Sequence, residues 1–212
     1  MVDLDGLGEV AAAFGFAGEL VPDIRWAGSH CTAVVRLDQD EIARRQAAGF
    51  GALDPYRHYQ LAEVLFELPL GMPVPWADLD PVRTVELDGA PPGVVRRTPE
   101  AVERLWRPAL TVTGVLTLAS SATQGLQHVG ILAADAPRGL ASRRRPRAAT
   151  RTRAAQLGVG VAAADSQGAW EVLLAPGRHL VAPSPRHWRF LESVYATWRR
   201  RPAGQPPLFP TR

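Results

Sequence analysis

Six arginines crowd the segment Ser142-Arg143-Arg144-Arg145-Pro146-Arg147-Ala148-Ala149-Thr150-Arg151-Thr152-Arg153, and no acid lies among them. No Asp or Glu occurs anywhere between Asp135 and Asp165. Pro146 is placed to start a helix that Gly158 ends, so the run gathers around a helix N-terminus. Cations there oppose the helix dipole unless an anion sits nearby. Backbone N–H groups, the dipole and guanidinium forks would then all favour the same phosphate. The candidate nucleic-acid-binding residues are therefore Arg143, Arg144, Arg145, Arg147, Arg151 and Arg153, joined by Arg186 and Arg189 on the last helix. The alternatives for the run are a solvated loop and a segment paired to the acidic first part of the chain. Arg199, Arg200 and Arg201 suit the C-terminal end of that last helix. Trp188 and Trp198 could interleave as stacking groups, but their spacing fits the apolar face of a core helix.

All 24 basic residues of the 212-residue chain are arginine. Without lysine, there is no Schiff-base lysine, lysine general base or P-loop lysine. The net charge of +3 hides an asymmetry. Residues 1–135 hold 10 arginines and 18 acids, a net of −8, whereas residues 136–212 hold 14 arginines and three acids, a net of +11. The split implies either a polyanion partner for the basic part or mutual neutralisation of the two parts. A hydrophobic share of 46% and a charged share of 21% are ordinary for a globular chain. They exclude a fully disordered chain, a collagen-like chain and a disulfide scaffold.

No motif fixes a reaction, and no catalytic residue, metal ligand or cofactor is expected. Gly28-Ser29-His30 and Ser120-Ser121 lack the spacing of a nucleophile elbow, and neither a GxGxxG nor a Walker loop occurs. His30 and Cys31 are neighbours on a strand and point to opposite faces. His58 reads as structural, and His128, His179 and His187 have no ligand-like spacing. Paired carboxylates could meet only in three dimensions, with Asp23, Asp38 and Glu63 as candidates. The single Cys31 cannot form an internal disulfide, which implies a reducing, cytoplasmic compartment. The acidic start Met1-Val2-Asp3-Leu4-Asp5 does not resemble a signal peptide. Polar residues interrupt the uncharged stretch from Pro108 to Ala134, so no membrane span is expected.

The elements that must position these residues follow from periodicity and caps. Leu4, Leu7, Val10, Ala11 and Phe14 predict a helix stopped by Gly15. Glu19–Trp26 reads as extended, and Thr32–Leu37 as a strand. Asp38 and Glu41 form a capping-box pattern opening a helix that Gly49 closes. Asp54-Pro55 predicts a helix to Leu68. An irregular connection through Pro69, Pro73 and Pro75 follows. Val82–Leu87 and Gly93–Arg97 are expected to form a hairpin, and Thr98-Pro99 to start a short helix ending near Trp106. Leu110–Leu118 and His128–Ala134 read as strands. Beyond the basic helix, Val159–Ala164 and Ala169–Leu174 read as strands joined by the turn Asp165-Ser166-Gln167-Gly168. Ser184-Pro185 starts a long amphipathic helix with Trp188, Leu191, Val194, Tyr195 and Trp198 on one face.

This mixture predicts an α+β or α/β fold with a mixed central sheet flanked by helices. Three regions are expected: an acidic α+β region over 1–100, a basic strand–helix–strand region over 101–200, and a proline-rich tail over 201–212.

The order from His128 to Leu174 resembles the closing half of PD-(D/E)XK nuclease-like domains. The shared features are the run His128-Val129-Gly130-Ile131-Leu132-Ala133-Ala134, the basic helix, and Leu157-Gly158-Val159-Gly160-Val161 leading to Glu171-Val172-Leu173-Leu174. The family pairs a metal-binding Asp with an acid-x-Lys, and this chain has no lysine. The resemblance therefore implies a non-catalytic relative whose scaffold can still bind nucleic acid. The expected function is a non-catalytic nucleic-acid-binding protein (DNA or RNA), or a subunit of a nucleic-acid-processing or defence assembly. The alternative is a protein-interaction subunit with oppositely charged halves, docking through the last helix and the tail. A site assembled from distant acids and arginines is the third expectation, and the oligomeric state is left open.

Overall fold

The structure, a computed structural model, describes residues 4–132, 135–178 and 180–201. Its elements in the first half of the chain are α1 (Leu4–Ala13), β1 (Glu19–Trp26), β2 (Ser29–Leu37), α2 (Gln39–Ala47), α3 (Tyr59–Glu67), β3 (Pro73–Pro75), α4 (Pro81–Asp88), β4 (Val95–Arg97) and β5 (Ala101–Arg104). There follow β6 (Leu110–Ala119), α5 (Ala122–Ile131), β7 (Arg138–Ser142), α6 (Ala148–Gln156), β8 (Gly160–Ala164), β9 (Trp170–Leu174) and α7 (Pro185–Arg199). The fold is α+β, with a mixed sheet and a long C-terminal helix. Two compact units arise, each from separated stretches of sequence. The first comprises Met1–Arg36, Thr111–Ala182 and Thr197–Arg212, and the second Leu37–Leu110 and Pro183–Ala196. These units follow packing, whereas the division of the sequence at residue 100 follows charge.

The first unit is built on a six-stranded sheet in the order β1-β2-β6-β7-β8-β9. β6, β7 and β8 run parallel, while β1–β2 and β8–β9 are antiparallel hairpins. The first hairpin turns through Ala27 and Gly28, both at positive φ (49° and 79°), as a two-residue hairpin loop requires. Successive residues of a strand face opposite sides. Ala141 of β7 therefore joins Leu7, Val10 and Phe14 of the α1 side. Its neighbour Leu140 joins Leu126 and Val129 of α5 and Ala154 of α6. α1 thus covers one face of the sheet, and α5 and α6 cover the other. Gly139 and Gly160 are register partners on β7 and β8. A Cβ on either would meet the Phe14 ring, at 2.5 Å and 3.1 Å. The two glycines make the floor on which that ring lies.

The second unit packs α2, α3, α4 and residues 185–196 of α7 with a three-stranded sheet in the order β3-β5-β4. Leu61, Leu65, Leu87, Val94, Val102 and Trp106 form its core. Asp38 caps α2 by accepting from the Glu41 N–H. Asp80 caps α4 by accepting from the Arg83 N–H, with Pro81 at the first helical position.

Several expected elements are corrected. Val82–Leu87 is not the first arm of a hairpin but lies in α4. The pair Asp80-Pro81 repeats the Asp54-Pro55 start signal and outweighs the β-branched residues behind it. Thr98-Pro99 does not open a helix. The Thr98 hydroxyl oxygen accepts from the Ala101 N–H and closes the turn between β4 and β5. His128–Ile131 is helical, because Leu126 and Val129 bury a face at helical spacing while His128 and Ile131 are exposed. Ala133 and Ala134, read as the end of that strand, lie outside the described residues. The strand paired between β6 and β8 is instead Arg138–Ser142, immediately before the arginine run. Asp54 accepts from the N–H groups of Tyr56 and Arg57, so a turn precedes α3 and delays its start to Tyr59. His179 and the tail from Pro202 lie outside the described residues.

Candidate functional site

The basic run occupies one strand–loop–helix connection of the first unit. Ala119, Ser142 and Ala163 align across β6, β7 and β8, so the run leaves the carboxyl edge of the parallel strands. Ligands of open α/β sheets gather at that edge. The buried Ser142 hydroxyl donates to the Arg144 carbonyl at 2.8 Å and fixes the turn. Pro146 is buried and anchors the loop, while Arg143, Arg144, Arg145 and Arg147 are exposed. Arg147 holds the N-cap position of α6, and its side chain makes no capping hydrogen bond. The first amide groups of this helix therefore lack the side-chain acceptor that Ser, Asp or Asn supplies elsewhere.

The eight predicted residues are not equivalent. Arg145 forms an ion pair with Glu171 of β9, both half-exposed. Arg153 is exposed on α6, whereas Arg151 is half-buried and its Nε has no protein partner. Arg186 and Arg189 sit half-buried on α7 in the second unit. The Arg189 guanidinium lies 4.1 Å from the centre of the Tyr59 ring, a cation–π contact. The structure thus brings Arg143–Arg153 together in one connection and places Arg186 and Arg189 on another unit. A further arginine of the basic part is structural. Arg138 is buried at the start of β7 and donates to the Leu157 carbonyl at the end of α6, where a cation suits the helix dipole.

No protein-family model, curated protein or solved structure matches the chain. The site must be read from its own chemistry.

The acids considered for catalysis have local roles. Asp38 caps α2 and lies 3.3 Å from the Arg107 guanidinium. The Glu63 carboxylate lies beside Tyr59 one helical turn away and raises the Tyr59 pKa. Asp23 is exposed at a register irregularity of β1, with φ at 59°. Cys31 is buried, and burial with the nearby Asp135 carboxylate pushes its thiol up to about 12. A thiol held protonated is a poor nucleophile. Among the described residues no group of three or more His, Cys, Asp and Glu is placed to hold a metal ion.

Sequence reasoning missed the most concentrated charge cluster, Glu41–Arg45–Glu192 in the second unit, whose side chains are all buried. Arg45 donates to Glu41 at 2.8 Å and to both carboxylate oxygens of Glu192, at 2.7 and 3.0 Å. Glu192 also accepts from the Leu53 N–H at 2.7 Å and the Trp106 indole N–H at 3.2 Å. The Arg45 guanidinium stacks 4.9 Å from the centre of the Tyr195 ring. Burial pushes the Glu192 carboxyl above its usual range, and these donors oppose that push. Burial acts the same way on Glu41, but hydrogen bonds from Arg44 and Arg45 outweigh it and hold its pKa below the ordinary value. Every oxygen of this cluster has a partner, so its chemistry is that of a clasp. Two signals pointed to it: Glu41 and Arg45 stand one helical turn apart, and Glu192 interrupts the apolar face of α7.

Proposed function

We propose that the chain is a non-catalytic nucleic-acid-binding protein, or a subunit of a nucleic-acid-processing assembly, that grips phosphates through Arg143, Arg144, Arg147 and Arg153. One observation carries this reading. Arg143, Arg144 and Arg147 are exposed at the carboxyl edge of a parallel sheet, beside a helix start that no side chain caps, and Arg153 is exposed in the last turn of the same helix. Arginine matches phosphate oxygens with paired N–H donors. Arg145 joins the grip when Glu171 releases it. Contacts of this kind give affinity and register rather than sequence information. Arg186 and Arg189 add charge on the second unit. The PD-(D/E)XK resemblance supports the reading through α6, β8 and β9 alone, because the run expected as its apolar strand is helical over His128–Ile131. A buried free Cys31 fits a reducing, cytoplasmic setting. Among the described residues no helix is long and apolar enough to cross a membrane.

A second reading, a protein-docking subunit, rests on different residues. The second unit exposes Leu70 (46%), Met72 (60%), Val82 (64%) and Val85 (69%). The last helix does not supply the docking face expected from its sequence, because Phe190, Leu191, Val194 and Tyr195 are buried.

The two readings separate on purification of the full chain. Co-purifying material that absorbs as nucleic acid, is removed by nuclease, and is absent from an R143A/R144A/R145A/R147A variant supports the first. A complex that survives nuclease and high salt and contains a second polypeptide supports the other.

A further inference from the structure

α6 presents a polar face that the fold leaves uncovered. Ala149, Thr152, Arg153 and Gln156 follow one another at helical spacing, and all are exposed. With Leu157 they line a wide, open hollow on the surface. Ala154 is the one fully buried residue of this helix. The exposed arginines Arg143, Arg144 and Arg147 precede the same helix, and no carboxylate occurs between Asp135 and Asp165.

We propose that α6 enters the major groove of double-stranded DNA, with Arg153 and Gln156 reading base edges while Arg143, Arg144 and Arg147 hold the flanking phosphates. The inference rests on the nucleic-acid reading above and adds the ligand class and the specificity residues. Its first support is charge: the exposed face of α6 carries no acid, and the carboxylate that meets its approach, Glu171, is paired with Arg145, which leaves Arg143, Arg144 and Arg147 for a polyanion. Its second is size, since a helix with side chains is about 10–12 Å across and the major groove of B-form DNA is about 12 Å wide. Its third is side-chain chemistry. An arginine can donate two hydrogen bonds to guanine, a glutamine can pair with adenine, and a threonine can contact either base edges or the thymine methyl. Double-stranded RNA fits less well, because its major groove is too narrow for side chains to read. Single strands fit less well too. They bind on exposed aromatic platforms, and the exposed large apolar residues described in this unit are Ile131, Leu157, Val172 and Leu180.

The test is selection from a pool of DNA duplexes with a randomised centre, using the full chain, R153A/Q156A and R143A/R144A/R147A, each checked for folding by circular dichroism. The wild type is expected to enrich a motif. R153A/Q156A should lose about 5- to 150-fold discrimination at the guanine or adenine read by the replaced side chain, while retaining binding to unrelated duplex. An unchanged motif in R153A/Q156A overturns the inference. So does a wild type that enriches no motif, or that prefers single strands or double-stranded RNA. In those cases, binding that still weakens in R143A/R144A/R147A leaves the phosphate grip standing. If the wild type binds no nucleic acid, the nucleic-acid reading falls and this inference with it.

Discussion

Arg45 and Glu192 stand 147 positions apart in the sequence and meet at 2.7 Å with both side chains buried. The pair joins the two stretches of chain that make up the second unit, Leu37–Leu110 and Pro183–Ala196. A buried ion pair adds little stability over a well-packed apolar pair, but removing one partner strands the other charge. Glu192→Ala is therefore expected to lower the unfolding free energy by about 3–5 kcal/mol. It would also free the Leu53 amide and the Trp106 indole N–H. Glu192→Gln keeps an acceptor and should cost less. Urea unfolding followed by tryptophan fluorescence measures both, and equal losses would contradict the clasp.

Glu41 gives the same cluster a pH dependence. Its pKa is held below the ordinary value by Arg44 and Arg45, against burial. A depressed carboxylate stabilises the fold above its unfolded pKa and loses that contribution as pH falls through its folded pKa. The unfolding midpoint should drop on acidification below about pH 4, the ordinary glutamate range. Glu41→Gln should be less stable at neutral pH and show a shallower acid decline. A parallel decline in both proteins would remove Glu41 from the account.

The glycine floor beneath Phe14 predicts a packing limit. Gly139→Ala places a Cβ 2.5 Å from the Phe14 ring and 2.7 Å from Leu116. Overpacking of this kind costs about 1–3 kcal/mol. Phe14→Leu in the same chain should recover part of that loss by vacating the space above the new methyl. Thermal unfolding of the single and double variants measures the coupling, and additive effects would show that the ring yields freely.

Glu171 competes with phosphate for Arg145. An exposed ion pair of this kind is worth about 0.2–1 kcal/mol. Glu171→Gln is expected to tighten duplex binding by up to about fivefold at low salt, with the gain fading as salt rises. Fluorescence anisotropy across a salt series tests this. Weaker binding would show that Glu171 positions Arg145 rather than occupying it.

Local signals read the architecture well where caps and periods agreed. β1 spans Glu19–Trp26 as the extended run predicts, and Gly15 and Gly158 both adopt positive φ where helices end. Gly160 packs against Pro176 and Phe14, where a Cβ would collide. Reading failed where a window was cut in the wrong place. His128–Ala134 is apolar enough for a strand, but the helical period begins earlier, at Ala122 and Leu126. Asp80-Pro81 carried the same start signal as Asp54-Pro55 and was masked by the β-branched residues around it. β7 was hidden because it holds Arg138 and Gly139, and its burial depends on α1 and α5 rather than on its own composition. The arginine run was legible because exposure and charge are local properties. The Glu41–Arg45–Glu192 clasp was not, because it joins residues 147 positions apart where Arg45 meets Glu192.

The phosphate grip is tested most directly by the salt dependence of duplex binding. For each phosphate no longer gripped, the slope of log K against log salt should flatten by about 0.9 for duplex and 0.7 for single strands. R143A/R144A/R147A, compared with the wild type by anisotropy over a salt series, is expected to flatten the duplex slope by about 2–3, with the thermal midpoint unchanged. An identical slope in the two proteins would contradict the account, because the exposed arginines at the carboxyl edge of β7 would then be touching no phosphate.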